Sequence, residues 1–475
     1  MKSNTSSPNN DVKVLKSKKR FSLIGWFTKN DMVQTFANAW KIADLRKKIL
    51  FTLMIVLLYR IGANLYVPFV DVIAIDNAAG SWLNFGGIFG MVNLFSGGSF
   101  EQASLFALSV SPYITASIVM QLLTIAIPAL ERLSKEGDEG KKKINAITRI
   151  VTVALAVITA YGYVKLLDAN SLLLIDKNTD AAMYYLGMVV MVTAFCAGAS
   201  IIMWLAEQIN QRGIGNGVSI ILFANIISRG AAMVGSMIGM MQDSYGNWLT
   251  GGKLAVGIVE FVISLVLAVV TIGMIVWFTN SEERIRIQYA KKVVGRKMYG
   301  GQSSNLPLKM NMAGVMPVIF ASSIVAILPT IAGFTKSSGM FNKVVTNFLG
   351  ANTPAYIMTY FVLIFAFSYF YIMISFNPIE VANNIKNNGG SIKGYRSGSE
   401  TAAYIKKHLN RITTMGAVFL AVVAGVPMIV GALVPSFTSL AFSGTSLLIA
   451  VGVVLEVAHD VEAQMKLRNY KGFLD

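Results

Sequence analysis

The sequence predicts an all-α polytopic membrane protein: ten transmembrane helices in two inverted five-helix halves, with one short re-entrant helix. Three observations carry this reading. Of 475 residues, 54% are hydrophobic and 14% charged, against about 25% charge in soluble domains. The apolar residues come in long runs, and about 20 such residues cross a hydrocarbon core of roughly 30 Å. Finally, 34 of the 41 lysines and arginines fall on one side of the resulting spans.

The elements follow in order. Residues 1–48 are polar and basic. They lack the early apolar segment of a cleavable signal peptide and are expected as a cytoplasmic tail. Five spans are expected over 49–67, 104–130, 147–165, 183–206 and 214–236, forming an N-terminal half, 49–236. Five more are expected over 254–279, 311–334, 355–376, 412–434 and 436–457, forming a C-terminal half, 254–457, before a cytoplasmic tail, 458–475. With both termini inside, only Lys165, Lys177, Lys253, Lys336 and Lys343 lie outside, while Arg60 and Arg229 fall within or near span ends. This is a positive-inside pattern, and one span more or fewer would scramble it.

Two inside loops are long and basic. Residues 280–310 carry Arg284, Arg286, Lys291, Lys292, Arg296 and Lys297; residues 377–411 carry Lys386, Lys393, Arg396, Lys406 and Lys407. Orientation bias alone gives basic loops. Their length favours a docking surface for an acidic or RNA-bearing partner.

Residues 85–95 are apolar but number only 11, with Gly86, Gly87 and Gly90 among them. At 1.5 Å per residue they reach about 16 Å, half the core. The segment is either an amphipathic helix on the outer surface or a half-helix tucked into the mouth of a pore.

An internal echo relates the halves. Pro112, Ile114, Ala116 and Ser117 in the second span match Pro317, Ile319, Ala321 and Ser322 in the seventh, as P-x-I-x-A-S. Gly217 and Ser219 in the fifth match Gly444 and Ser446 in the tenth. Both pairs share an offset of five spans. Because five is odd, the second half is inverted. The prolines are expected to free backbone groups inside their spans, favouring contact with protein or water over lipid.

Catalytic motifs are missing from the sequence. The stretch 137–141 has the wrong spacing for a phosphate-binding loop, and no serine elbow, HExxH or paired cysteines occur. The one cysteine, Cys196, allows no disulfide framework, and His408 and His459 give no metal-ligand spacing. No enzyme activity, cofactor or metal is expected. Glu260 is a lone carboxylate within a span. It is either the relay of an ion-coupled secondary transporter or the partner of a neighbouring helix.

Several stretches then resemble one family. They include Asn93-Leu94-Phe95-Ser96-Gly97-Gly98, Phe106-Ala107-Leu108, and the run from Pro112-Tyr113-Ile114 to Gln121-Leu122-Leu123. Gln211-Arg212-Gly213-Ile214-Gly215-Asn216-Gly217, Leu306-Pro307-Leu308-Lys309, Asn311 to Pro317, Phe376-Asn377-Pro378 and Arg468-Asn469-Tyr470-Lys471-Gly472-Phe473-Leu474 continue it. From about residue 40 onward the chain is similar to bacterial SecY, the family of pore subunits of the general protein translocase.

The resemblance implies a protein-conducting channel of the bacterial plasma membrane. It passes unfolded secretory polypeptides and releases membrane segments laterally into the lipid. It implies a pore ring of Val110, Ile114, Val218, Leu222, Ile319 and Ile449. Such a ring offers a compliant seal without hydrogen-bonding groups, and it hinders ions by dewetting. It implies a plug containing Phe85, Ile88, Phe89, Met91, Val92, Leu94 and Phe95. A lateral gate between the second and seventh spans would receive signal sequences, with Thr115, Gln121 and Asn311 as its polar positions. Implied partners are the SecE and SecG small subunits, the SecA ATPase and the ribosome. The last two would dock on Arg284, Arg286, Lys291, Lys292, Arg296, Lys297 and Arg396. One departure stands out. The family's Pro-Gly-x-Arg-Pro-Gly is here Lys393-Gly394-Tyr395-Arg396-Ser397-Gly398, so the loop around Arg396 is expected to be looser.

Overall fold

The computed structural model describes residues 39–77, 92–93, 95–175, 181–239, 252–289, 292–294, 297–299, 303–333, 353–433 and 443–471. In chain order the first helices are α1 (Ala43–Gly62), α2 (Val72–Asn77), α3 (Ser111–Ala126), α4 (Pro128–Lys135), α5 (Asp138–Ala169), α6 (Ala181–Arg212), α7 (Gly217–Gly239) and α8 (Gly252–Thr279). Strands β1 (Glu282–Tyr289), β2 (Lys292–Val294), β3 (Lys297–Tyr299) and β4 (Ser303–Lys309) follow. The rest are α9 (Met316–Gly333), α10 (Pro354–Ser375), α11 (Pro378–Asn387), β5 (Gly390–Ile392), α12 (Ser399–Leu433) and α13 (Ser443–Lys471).

A helix lies on every predicted span: α1, α3, α5 to α10, α12 and α13. Among the described residues, six of them are long and apolar enough to cross a membrane, and α3 with α4 makes a bent seventh candidate. The exceptions have simple causes. α1 carries Asp44, Arg46, Lys47, Lys48 and Arg60 along its length. α7 and α9 are apolar over shorter stretches, Gly217–Gly230 and Met316–Val325. Exposed Leu53, Leu57, Val189, Val262, Val269 and Met358 face outward, as lipid-facing side chains do. In lipid such faces gain nothing from one another, so close packing and hydrogen bonds must join the helices.

The second span departs from expectation. Its helix covers Ser111–Ala126 rather than 104–130, and residues 96–110 form successive turns. Ser96, Ser99, Ser104 and Ser109 are buried in these turns. Non-helical backbone at membrane depth needs such protein surroundings. At the other end Ile127 is extended, with φ −108° and ψ 113°. Pro128 disfavours the helical conformation for the residue before it, and α3 and α4 meet at 101°. The expectation for Pro112 and Pro317 is also corrected. Pro112 lies at the start of α3 and Pro317 is the second residue of α9. There the absent N–H has no intrahelical partner to lose.

The contacts between helices repeat across the two halves. α3 packs on α5 as α9 packs on α10; α5 on α6 as α10 on α12; α6 on α7 as α12 on α13; α1 on α7 as α8 on α13. Between the halves α3 meets α9 and α7 meets α13, each helix facing its own counterpart in the repeat, and α9 also touches α5 and α8 touches α7.

The echoed residues have physical reasons. Ala116 and Ala321 are both fully buried. A Cβ on Gly217 would lie 2.0 Å from the carbonyl oxygen of Ala206 on α6. A Cβ on Gly444 would lie 2.7 Å from the carbonyl oxygen of Val423 on α12. Each glycine lets one helix start against the backbone of the helix before it.

The two long loops are joined. β1 pairs antiparallel with β4, with Glu282 opposite Lys309, and its outer edge pairs with β5, Ile287 opposite Ile392. Ile285, Ile287, Leu308, Ile385 and Ile392 are buried beneath the sheet, against Ile405 and Ile412 of α12. A small sheet is thus added to an otherwise helical fold.

Candidate functional site

The residues read as a ring gather in one apolar cluster. Val110, Ile114, Leu222, Ile319 and Ile449 are buried in it, and Val218 packs against it half-buried. α3, α7, α9 and α13 deliver them, two helices from each half, with Val110 immediately before the first residue of α3. A cavity of about 510 Å³ adjoins them, lined by Ser219, Asn311, Ile319, Leu448, Glu456 and Asp460 among others.

The polar positions of the α3–α9 contact behave differently from one another. Thr115 Oγ1 donates to the Ser111 carbonyl at 3.0 Å, a local backbone bond. Gln121 is half-buried on α3. Asn311 precedes α9, and its Oδ1 is buried with no hydrogen-bond partner among the described residues. No hydrogen bond links these three to one another, so α3 and α9 are held there by apolar packing.

Of the plug residues, Val92 and Phe95 lie among the described residues; Phe85, Ile88, Phe89, Met91 and Leu94 lie outside them. Val92 packs against the cluster around α5 and α6, and Phe95 against the ring cluster. The backbone beyond Phe95 meets α7 through a buried polar network that hydropathy and motif spacing did not reveal. Asn225 Nδ2 donates to the Phe95 carbonyl at 2.6 Å, and Ser109 Oγ donates to the same oxygen at 3.0 Å. Ser228 Oγ donates to the Gly97 carbonyl at 3.3 Å. Arg229 Nη1 lies 3.1 Å from Glu101 Oε2, which also accepts from Asn93 Nδ2 at 2.8 Å. Asn225 Oδ1 and Arg60 Nη1 are buried without a hydrogen-bond partner among the described residues. Each such atom costs about 1–3 kcal/mol of lost solvation. A signal was available: Asn225, Ser228 and Arg229 share a helix face at spacings of three and four, and Arg60 and Arg229 stand in apolar surroundings.

The loop cations are spread over the sheet and its neighbours. Arg284 and Arg286 are exposed on β1, Lys292 is on β2, Lys297 on β3, and Lys291 and Arg296 lie outside the described residues. The loop at Arg396 is firmer than its missing prolines suggest. The Arg396 N–H donates to Glu400 Oε2 at 3.0 Å, and Thr401 Oγ1 donates to the Arg396 carbonyl at 2.8 Å. Gly394 and Gly398 take the positive φ values, 91° and 111°, that turn the chain on either side. The β1 loop is tied to α12 by His408 Nδ1 and Glu283 Oε1, 2.8 Å apart.

Comparison with known proteins settles the kinship. A family model described as SecY matches residues 104–458. A protein translocase subunit SecY of Streptomyces scabiei is 43% identical over 450 residues, covering 93% of this chain and all of the relative. That of Mycobacterium tuberculosis strain H37Rv is 40% identical over 458 residues, with the same coverage.

The chain belongs to the SecY family.

Solved structures agree at the level of the fold. A structure titled as that of a protein conducting channel superposes with a TM-score of 0.59 at 16% identity, covering 88% of this chain and 92% of the other. The Sec61 chain of a canine ribosome-channel complex gives 0.55 with the same identity and coverage. SecY-family membership agrees with the polytopic, mainly helical fold described above.

Proposed function

We infer that this protein is the pore subunit of a protein translocase, conducting unfolded polypeptides across the membrane and passing apolar segments sideways between α3 and α9. It is a channel rather than a catalyst. The observation that carries the reading is the buried cluster shared by the two halves, in which Ile114 answers Ile319 and Leu222 answers Ile449. A constriction without hydrogen-bonding groups passes varied side chains without holding any, and dewetting slows ions.

The rest of the assignment extends from there. Ten crossings with both termini in the cytoplasm fit the lysine and arginine distribution, and the plasma membrane is the expected location. Residues 85–95 are assigned the role of the plug from their sequence, Val92, Asn93 and Phe95 being the ones among the described residues. An apolar groove of about 580 Å³ between α1, α7 and α13, lined by Leu53, Val56, Phe223 and Val457 among others, suits the transmembrane helix of a small subunit such as SecE or SecG. The β1–β5 sheet, which carries Arg284 and Arg286, is the docking face for SecA or the ribosome, together with Lys292, Lys297 and Arg396 and, by their place in the same loop sequence, Lys291 and Arg296. Charge complementarity to an acidic or RNA surface supports that role.

Reconstituted vesicles holding the channel and its small subunits test the ring. Ile319→Asn or Ile449→Asn should raise the resting ion conductance and admit precursors with defective signal sequences. Unchanged leak and unchanged selectivity in both variants would remove these residues from the seal.

A further inference from the structure

We propose that Asn225 and Arg229 of α7, with Glu101, form a polar clasp on the base of the plug and set the threshold at which a signal sequence opens the channel. The proposal rests on the plug reading of residues 85–95. Its parts are specific to one stretch of backbone and one helix face. Asn225 holds the Phe95 carbonyl, Ser228 the Gly97 carbonyl, and Arg229 pairs with Glu101, which is itself bound to Asn93. The residues on α7 are spaced three and four apart and so point the same way.

Two glycines make the approach possible. Gly97 has φ +66°, and a Cβ there would lie 2.8 Å from Asn225 Oδ1 and 3.1 Å from Arg60 Nη1. Gly98 has φ +93°, and a Cβ there would lie 3.0 Å from Arg229 Nη1. Any side chain at either position would push the clasp open. The Arg229–Glu101 pair is only partly exposed, 31% and 22%, so solvent and salt screen it less than a surface pair.

The clasp holds incompletely. Arg60 Nη1 and Asn225 Oδ1 both face Gly97, and neither has a partner among the described residues. A fully paired network would resist opening more strongly. To leave the position seen here, the plug base must break its bonds to Asn225, Ser228 and Arg229 together. An arriving signal sequence has to supply that difference, and a defective one falls short.

The test uses the full chain with its small subunits in vesicles. Export of precursors with intact and defective signal sequences is compared for Arg229→Ala, Glu101→Gln, and the exchange Glu101→Arg with Arg229→Glu. Loss of one charge-assisted bond should raise export of the defective precursor about tenfold, with the intact one little changed. The exchange should bring selectivity back, which a simple loss of packing would not. Glu101→Gln keeps the side-chain shape and carries the test if Arg229→Ala does not assemble. Deleting residues 85–91 is the control. If that deletion loosens selectivity while the single variants do not, the clasp is wrong and the plug stands. If the deletion changes neither leak nor selectivity, the plug reading fails first.

Discussion

Gly217 and Gly444 open α7 and α13, and a single methyl group on either strikes a carbonyl oxygen that cannot move without its helix. Gly217→Ala is therefore expected to destabilise the protein by about 1–3 kcal/mol, the usual cost of overpacking, as read by thermal unfolding in detergent. Gly444→Ala should behave alike, although Pro427 Cγ, 2.5 Å from where the new methyl would sit, is also displaced. An unshifted transition for both would show that the α6–α7 and α12–α13 contacts yield. The G-x-S echo was visible in the sequence, but its reason was not. Periodicity reports which residues are small, whereas only the packed helices show what they approach. That Ile114, Ile319, Leu222 and Ile449 share one buried cluster was legible because the internal echo paired them. Asn225, Glu101 and Ser109 were not, because they converge from two segments over a hundred residues apart and each reads as an ordinary polar residue.

Helix positions were legible because a bilayer-length apolar run leaves few alternatives. Ends were less so. Hydropathy continued the second span back to residue 104, since Phe106, Leu108 and Val110 are apolar, yet the serines among them bind turn carbonyls: Ser104 Oγ donates to Ser99 and Ser109 Oγ to Phe95. The β1 sheet was missed for another reason. Ile285, Ile287 and Tyr289 alternate with charged and polar residues, which is the period of a half-buried strand, but in a basic loop that alternation is masked by the charge. The pairing gives a direct check. Gln288 and Ser391 face each other across β1 and β5, at the roughly 5 Å Cβ separation of opposed residues. Gln288→Cys with Ser391→Cys should form a disulfide under mild oxidation, with the native Cys196 alone as background. No crosslink would mean the two loops move independently.

At the scale of the molecule, two equivalent halves meet chiefly through α3 with α9 and α7 with α13. Glu260 lies on α8, half-buried and without an ion pair or hydrogen bond among the described residues. If the chain drove solutes by proton or sodium coupling, that carboxylate would be indispensable. Glu260→Gln should instead leave polypeptide export within about twofold of the wild type, a change worth less than about 1 kcal/mol. Export that collapsed in this variant would return an ion-coupled mechanism to consideration. The sheet has one more consequence, concerning how the protein is made. β1 and β5 are separated by about a hundred residues and by helices α9, α10 and α11. A ribosome building this chain finishes β1 well before β5 exists. A half-made copy thus carries β1 with one edge unpaired until α9, α10, α11 and then β5 have been added.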